Sequence, residues 1–121
     1  MVNYNSILQA RRNISDYVKQ TPLVEIADHI YLKLENTHDK VNAFKVRGAY
    51  NKIKSLDQEC LEIVTAAVGS HGFAVGDICK YLRIKSVCFM PETAPDDKKE
   101  KMENLVDKVI YAGQEFSETE Q

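Results

Sequence analysis

Ile63-Val64-Thr65-Ala66-Ala67-Val68-Gly69-Ser70-His71-Gly72 is a short apolar run closed by a glycine-containing turn, and Phe73, Val75, Ile78, Cys79 and Leu82 continue behind it at helical spacing. The stretch reads strand, turn, helix. Downstream the pattern repeats: residues 86–90 form an apolar strand closed by Pro91, residues 94–105 a charged helix, and residues 108–111 a strand ending at Gly113. Apolar strands alternating with helices specify an α/β fold, an open parallel sheet with helices on both faces, buried on both sides and wound by right-handed crossovers. Residues 115–121 have the polar, acidic content of a helix start. The fold is expected to break off there, before another amphipathic turn forms.

Upstream, residues 4–19 carry Ile7, Leu8, Ile14, Tyr17 and Val18 at helix-compatible spacing. Gln20-Thr21-Pro22 ends that helix, because the residue before proline is pushed out of the helical region. Residues 23–26 and 30–34 are β-prone runs separated by Ala27-Asp28-His29, two strands or a hairpin. A polar loop over residues 37–42 leads to Val46, Ala49, Tyr50, Ile53 and Leu56, which recur with helical period.

A chain of 121 residues supports one domain with a real core. We read residues 1–121 as a single α/β unit. Its net charge of −2, with both signs interspersed, offers no basic surface of the kind that tracks a phosphate backbone, so nucleic acid is not an expected partner. Lys98-Lys99-Glu100-Lys101, beside Asp96 and Asp97, reads as a solvated, self-compensating helix face. Cys60, Cys79 and Cys88 occur singly, against a disulfide framework or a zinc site, and suit a reducing cytoplasm. Cys79 and Cys88 fall on apolar positions and read as core residues. Nothing approaches the roughly eighteen apolar residues of a membrane span, and no secretory signal opens the chain. His29 and His38 sit in polar connections and read as surface histidines, not metal ligands; Tyr50, Tyr81 and Tyr111 read as packing groups with a polar tip.

Two constellations carry chemistry. Phe44-Lys45-Val46-Arg47-Gly48-Ala49-Tyr50, just after Tyr31-Leu32-Lys33-Leu34-Glu35-Asn36, seats one lysine between a strand and a helix start. That is the place for a Schiff-base lysine. An amine condenses with a carbonyl only when deprotonated, and the positive end of a helix together with partial burial favours the neutral form. The plainer reading makes Lys45 and Arg47 solvated charges in the first turn of an amphipathic helix. The second constellation is the turn over residues 65–72, at the carboxyl end of a parallel strand, where open α/β sheets bind ligands. Backbone N–H groups there suit a carboxylate, Gly69 and Gly72 permit close approach, and Ser70 and His71 add polar side chains. Its plainer reading is a strand-to-helix turn with Ser70 as N-cap.

The order and separation of these motifs resemble the fold-type II pyridoxal-phosphate enzymes, especially the threonine and serine dehydratases. The resemblance also takes in Thr21-Pro22-Leu23, Leu32-Lys33-Leu34-Glu35-Asn36 and Met90-Pro91-Glu92-Thr93-Ala94-Pro95. Residues 1–60 resemble the amino-terminal, lysine-bearing part of such enzymes, and residues 61–121 an incomplete small domain. What the resemblance implies is deamination of hydroxy amino acids by β-elimination of water, with pyridoxal phosphate as electron sink. Lys45 would carry the cofactor and shuttle the α-proton. Phe44 would lie against the cofactor ring, Ser70 would touch its ring oxygen, and Ala67, Gly69, Ser70 and His71 would grip the substrate carboxylate. The turn departs from the usual Ser-x-Gly-Asn-His: Ala67 replaces the hydroxyl residue and Ser70 the asparagine, which bears on both contacts. Ala43 stands where many members have serine.

The five glycines, Gly48, Gly69, Gly72, Gly76 and Gly113, never cluster into the cradle with which these enzymes hold the phosphate. The expectation is therefore the amino-terminal portion of a dehydratase-like enzyme, recognisable in fold and incomplete as a catalyst. It would take a small amino-acid substrate if active, with apolar surface covered by a second copy or a complementary chain. A non-enzymatic interaction or regulatory module derived from that fold is the alternative. A third reading is an unrelated α/β domain binding a nucleotide or small anion at the turn.

Overall fold

The computed structural model describes residues 2–56 and 59–120. Helix α1, Tyr4–Asn13, is opened by a capping box in which the Asn3 carboxamide accepts from the Ser6 backbone and the Ser6 hydroxyl accepts from the Asn3 backbone, both at 2.9 Å. It stops short of the residue 19 expected from spacing. The Ser15 hydroxyl donates to the Arg12 carbonyl at 2.8 Å, competing with the helical ladder, and turns then deliver Ile14 and Val18 to the core.

Strands β1, Leu23–Ala27, and β2, Ile30–Lys33, pair antiparallel as a hairpin about Asp28-His29, with His29 in the left-handed region at φ 57°. A 3₁₀ turn over Glu35–Thr37 leads through a loop to α2, Lys45–Lys54, which buries Val46, Tyr50 and Ile53.

The second half alternates as the sequence specifies: β3 Glu62–Ala66, α3 Ser70–Leu82, β4 Lys85–Met90, α4 Asp96–Glu103, β5 Lys108–Tyr111. The three strands form one parallel sheet in the order β3-β4-β5. A last helix, α5 over Phe116–Thr119, forms where a helix start was expected; Gln121 lies outside the described residues. The charged helix α4 is shorter than residues 94–105, because Pro95 occupies its N-cap and Leu105 and Val106 turn back onto Met102. Its charges pair as expected, Lys98 with Asp97 and Lys99 with Asp96, while the Lys101 ammonium lies 4.5 Å from the Phe73 ring centroid.

Helix α3 is the centre of the molecule, buried without interruption from Gly72 to Cys79. Tyr50, Cys88, Met90 and Met102 pack around it. Close packing explains its two glycines: a Cβ on Gly72 would sit 2.5 Å from Met102 Cε, and one on Gly76 2.8 Å from Val106 Cγ1. The sheet departs from the expectation of burial on both sides. Ser86, Cys88 and Met90 of β4 are buried, but on the opposite face Val87 and Phe89 are half-buried and Val64 is 59% exposed. A second tie joins the chain's halves. The Tyr17 hydroxyl donates to Asp77 on α3, and Tyr17 stacks between Tyr50 and Tyr81 with centroids 4.7 and 4.5 Å away.

Candidate functional site

Strand β3 ends at Ala66, and Ala67, 4% exposed, donates its N–H to the Phe89 carbonyl at 3.0 Å. Gly69, not Ser70, is the N-cap of α3, and Ser70 is its first helical residue. No side chain caps this terminus, so the leading N–H groups of α3 keep the anion-receptive character of an open helix start. Around Gly69 an added Cβ would find nothing within 4 Å, which leaves the space above the turn open.

Lys45 is the first residue of α2. It shares a cleft of about 710 Å³ with the turn, lined by Lys45, Ala67, Gly69, Ser70 and His71 among others. Five of the six residues singled out from sequence therefore meet in one place. The sixth does not: Phe44 is 60% exposed and does not line the cleft, although its ring centroid lies 5.6 Å from the Lys45 ammonium. Lys45 itself is exposed where partial burial was expected, because it opens its helix on the rim of the cleft.

Two cleft residues escaped the sequence reading, Phe116 of α5 and Glu120 just after it. A signal for them existed. In a parallel sheet every strand-to-helix turn emerges at the same rim, so the turn after β5 belongs beside the turn after β3.

Behind Lys45 lies a polar network that sequence also missed. Arg47 grips the Glu35 carboxylate with two bonds, Nε to Oε2 at 2.8 Å and Nη2 to Oε1 at 2.9 Å. Thr21 donates its hydroxyl to Glu35 Oε1 at 2.8 Å, and His38 Nε2 lies 3.0 Å from Oε2. The arginine holds the Glu35 carboxyl down at about 2, against the opposing pull of burial and with help from His38 and Thr21. His38 is therefore not the surface histidine expected; it is 4% exposed, drawn inward by the carboxylate three residues before it.

His29 is on the surface, but with carboxylates at hand: Glu25, Asp28 and His29 bring ligand atoms within 4.8 Å of one another, all exposed. Fully solvated groups like these carry no metal assignment. Burial pushes the thiols of Cys79 and Cys88 up to about 11, as suits inert core residues. Among the described residues no helix is long and apolar enough to cross a membrane.

The family model described as pyridoxal-phosphate dependent enzyme matches residues 14–121. The catabolic L-threonine dehydratase TdcB of Staphylococcus aureus is 35% identical over 129 residues, an alignment taking in 98% of this chain and 37% of that protein. Among solved structures, maize serine racemase superposes with a TM-score of 0.87 at 28% identity, over 98% of this chain and 39% of the racemase. Isoform 2 of threonine deaminase from Solanum lycopersicum superposes with a TM-score of 0.82 at 27% identity, over 98% of this chain and 36% of the deaminase. The chain thus spans well under half the length of the relatives it matches.

Proposed function

The chain belongs to the pyridoxal-phosphate dependent enzyme family, and from that premise we propose that it carries the lysine and carboxylate sides of a threonine- or serine-deaminating site. One observation supports this most: Lys45 and the turn over residues 67–71 line the same cleft. An exposed amine facing open space fits the covalent hold on the cofactor, and uncapped N–H groups at Gly69, Ser70 and His71 fit a substrate carboxylate. When bound, the cofactor supplies an electron sink for the charge left as the α-proton departs. Lys45 would be the group that takes that proton. The turn would orient the substrate through its backbone and Ser70 would offer its hydroxyl to the cofactor, while Phe44 flanks the lysine. No glycine cluster for the phosphate is present in the sequence, so this chain by itself is expected to turn over little substrate.

Titration with pyridoxal phosphate tests the assignment. An absorbance band characteristic of a lysine linkage is expected, and it should vanish in Lys45→Ala. A band unchanged in that variant would remove the role given to Lys45. Keto-acid release from threonine and serine, with and without a chain supplying the rest of a dehydratase, then reads the chemistry.

Family membership removes the reading of an unrelated nucleotide- or anion-binding domain. The non-enzymatic alternative keeps one observation in its favour, the hairpin, where Leu23, Ile26, Ile30 and Tyr31 are each at least half exposed. We propose that a second copy or a complementary chain covers these residues. A defined oligomer with no cofactor band at any concentration would favour that module over the enzyme. The lone cysteines, two of them buried, fit a reducing compartment such as the cytoplasm.

A further inference from the structure

Helix α2 begins without a side-chain cap: Phe44 at its N-cap position is itself helical, at φ −60° and ψ −18°, and makes no capping bond. The first turn is closed by short-range bonds, Val46 N–H to the Ala43 carbonyl at 3.4 Å and Arg47 N–H to the Phe44 carbonyl at 3.1 Å. Such a start frays unless something else holds it. Burial of Val46 anchors one side of it, and the two-bond grip of Arg47 on Glu35, at 2.8 and 2.9 Å, backed by Thr21 and His38, each 4% exposed, anchors another. Arg47 follows Lys45 by two positions, about 200° around the helix axis. A tether at Arg47 therefore sets the rotation that turns Lys45 toward the cleft. Paired, planar bonds between guanidinium and carboxylate fix orientation as well as distance.

We propose that Glu35 is a positioning residue for Lys45, acting through Arg47 to hold the first turn of α2 so that the amine faces the turn over residues 67–71. The proposal deepens the functional reading and rests on it: Lys45 is taken as the lysine that receives the cofactor. Glu35 does not line the cleft. Its carboxylate is the fixed point on one side of the helix, at the start of the 3₁₀ turn behind β2, and the amine is the moving part on the other. Thr21 adds a brace, since its hydroxyl bonds Glu35 at 2.8 Å while its carbonyl accepts from Lys33 Nζ at 2.5 Å.

The test is reductive labelling of the whole chain with pyridoxal phosphate and borohydride, reading Lys45 against Lys52 and Lys80 by peptide mass spectrometry. Both comparison lysines are exposed, one on α2 and one on α3, and report general reactivity. In the unaltered chain Lys45 is expected to label in preference to both. In Glu35→Gln that preference should fall about tenfold, the scale of loss when a reacting group drifts from its aligned position. Arg47→Met should fall equally, and Arg47→Lys should recover part, since lysine keeps the charge without the paired bonds. Circular dichroism on each variant separates loss of positioning from loss of fold, and Arg47→Lys gives the reading if Glu35→Gln does not fold. Folded variants that keep the full preference for Lys45 would overturn the positioning role. An unaltered chain with no preference for Lys45 would instead overturn the assignment of the cofactor lysine.

Discussion

Strand β4 and the hairpin are both β-structure rich in apolar residues, and they are built on opposite terms. In β4, Ser86, Cys88 and Met90 are buried beneath α3 while Val87 and Phe89 are half covered. In the hairpin every residue of both strands is exposed, Ile26 at 56% and Ile30 at 54%. Apolar content makes a strand available for a core; a neighbour on its face makes it part of one. The parallel unit around α3 therefore carries the stability of this chain, whereas the hairpin presents surface. Each contributes to the proposed site: the turn over residues 67–71 grows from the first, and Glu35 follows shortly after the second.

The sharpest way to break this contrast is Met102→Ala. Met102 is fully buried against Gly72, next to the turn, and its removal should cost about 2–5 kcal/mol in chemical denaturation through lost burial and a cavity. A cost near zero would place the parallel unit on the same footing as the hairpin.

Acid titration gives an intermediate effect located between the two regions. The Glu35 carboxyl is lowered from its ordinary 4.5 to about 2 in the folded chain, so its contribution is fully present above pH 4.5 and is lost as pH falls through 2. With 23% of the side chain exposed, solvent screening limits this to about 1–2 kcal/mol. Glu35→Gln should flatten the decline in unfolding free energy across that window, and an unchanged slope would mean that the network with Arg47 does not stabilise the fold.

The smallest effect sharpens the comparison from the other side. Ile26→Thr and Ile30→Thr should each change the unfolding free energy of the dilute chain by no more than about 0.5 kcal/mol, as expected for exposed positions. The same substitutions should weaken any self-association followed by sedimentation. A large loss of stability at low concentration would instead mean that the hairpin shields core.

The alternation of strand and helix after residue 62 was legible because hydrophobic period reports local geometry directly. Lys108–Tyr111 emerges as a strand with the bounds that the sequence suggests. Where long-range partners decide, period is silent. The spacing of Ile14, Tyr17 and Val18 fits one continuous helix, yet those residues leave α1 to reach the core and Asp77. His38 looks like a loop histidine until Glu35 turns back to meet it. Phe116 and Glu120 carry no motif at all and enter the cleft through topology.

Sequence by itself determined the class of fold, the lysine at a helix start and the glycine-bearing turn after a strand, since each follows from residue type and spacing over one or two turns of chain. Only the tertiary structure decided that these two line one cleft, and that Arg47 turns back to pair with Glu35 beside the lysine. Those facts depend on how helices rotate and dock against partners remote in the chain, and a local period carries no information about that.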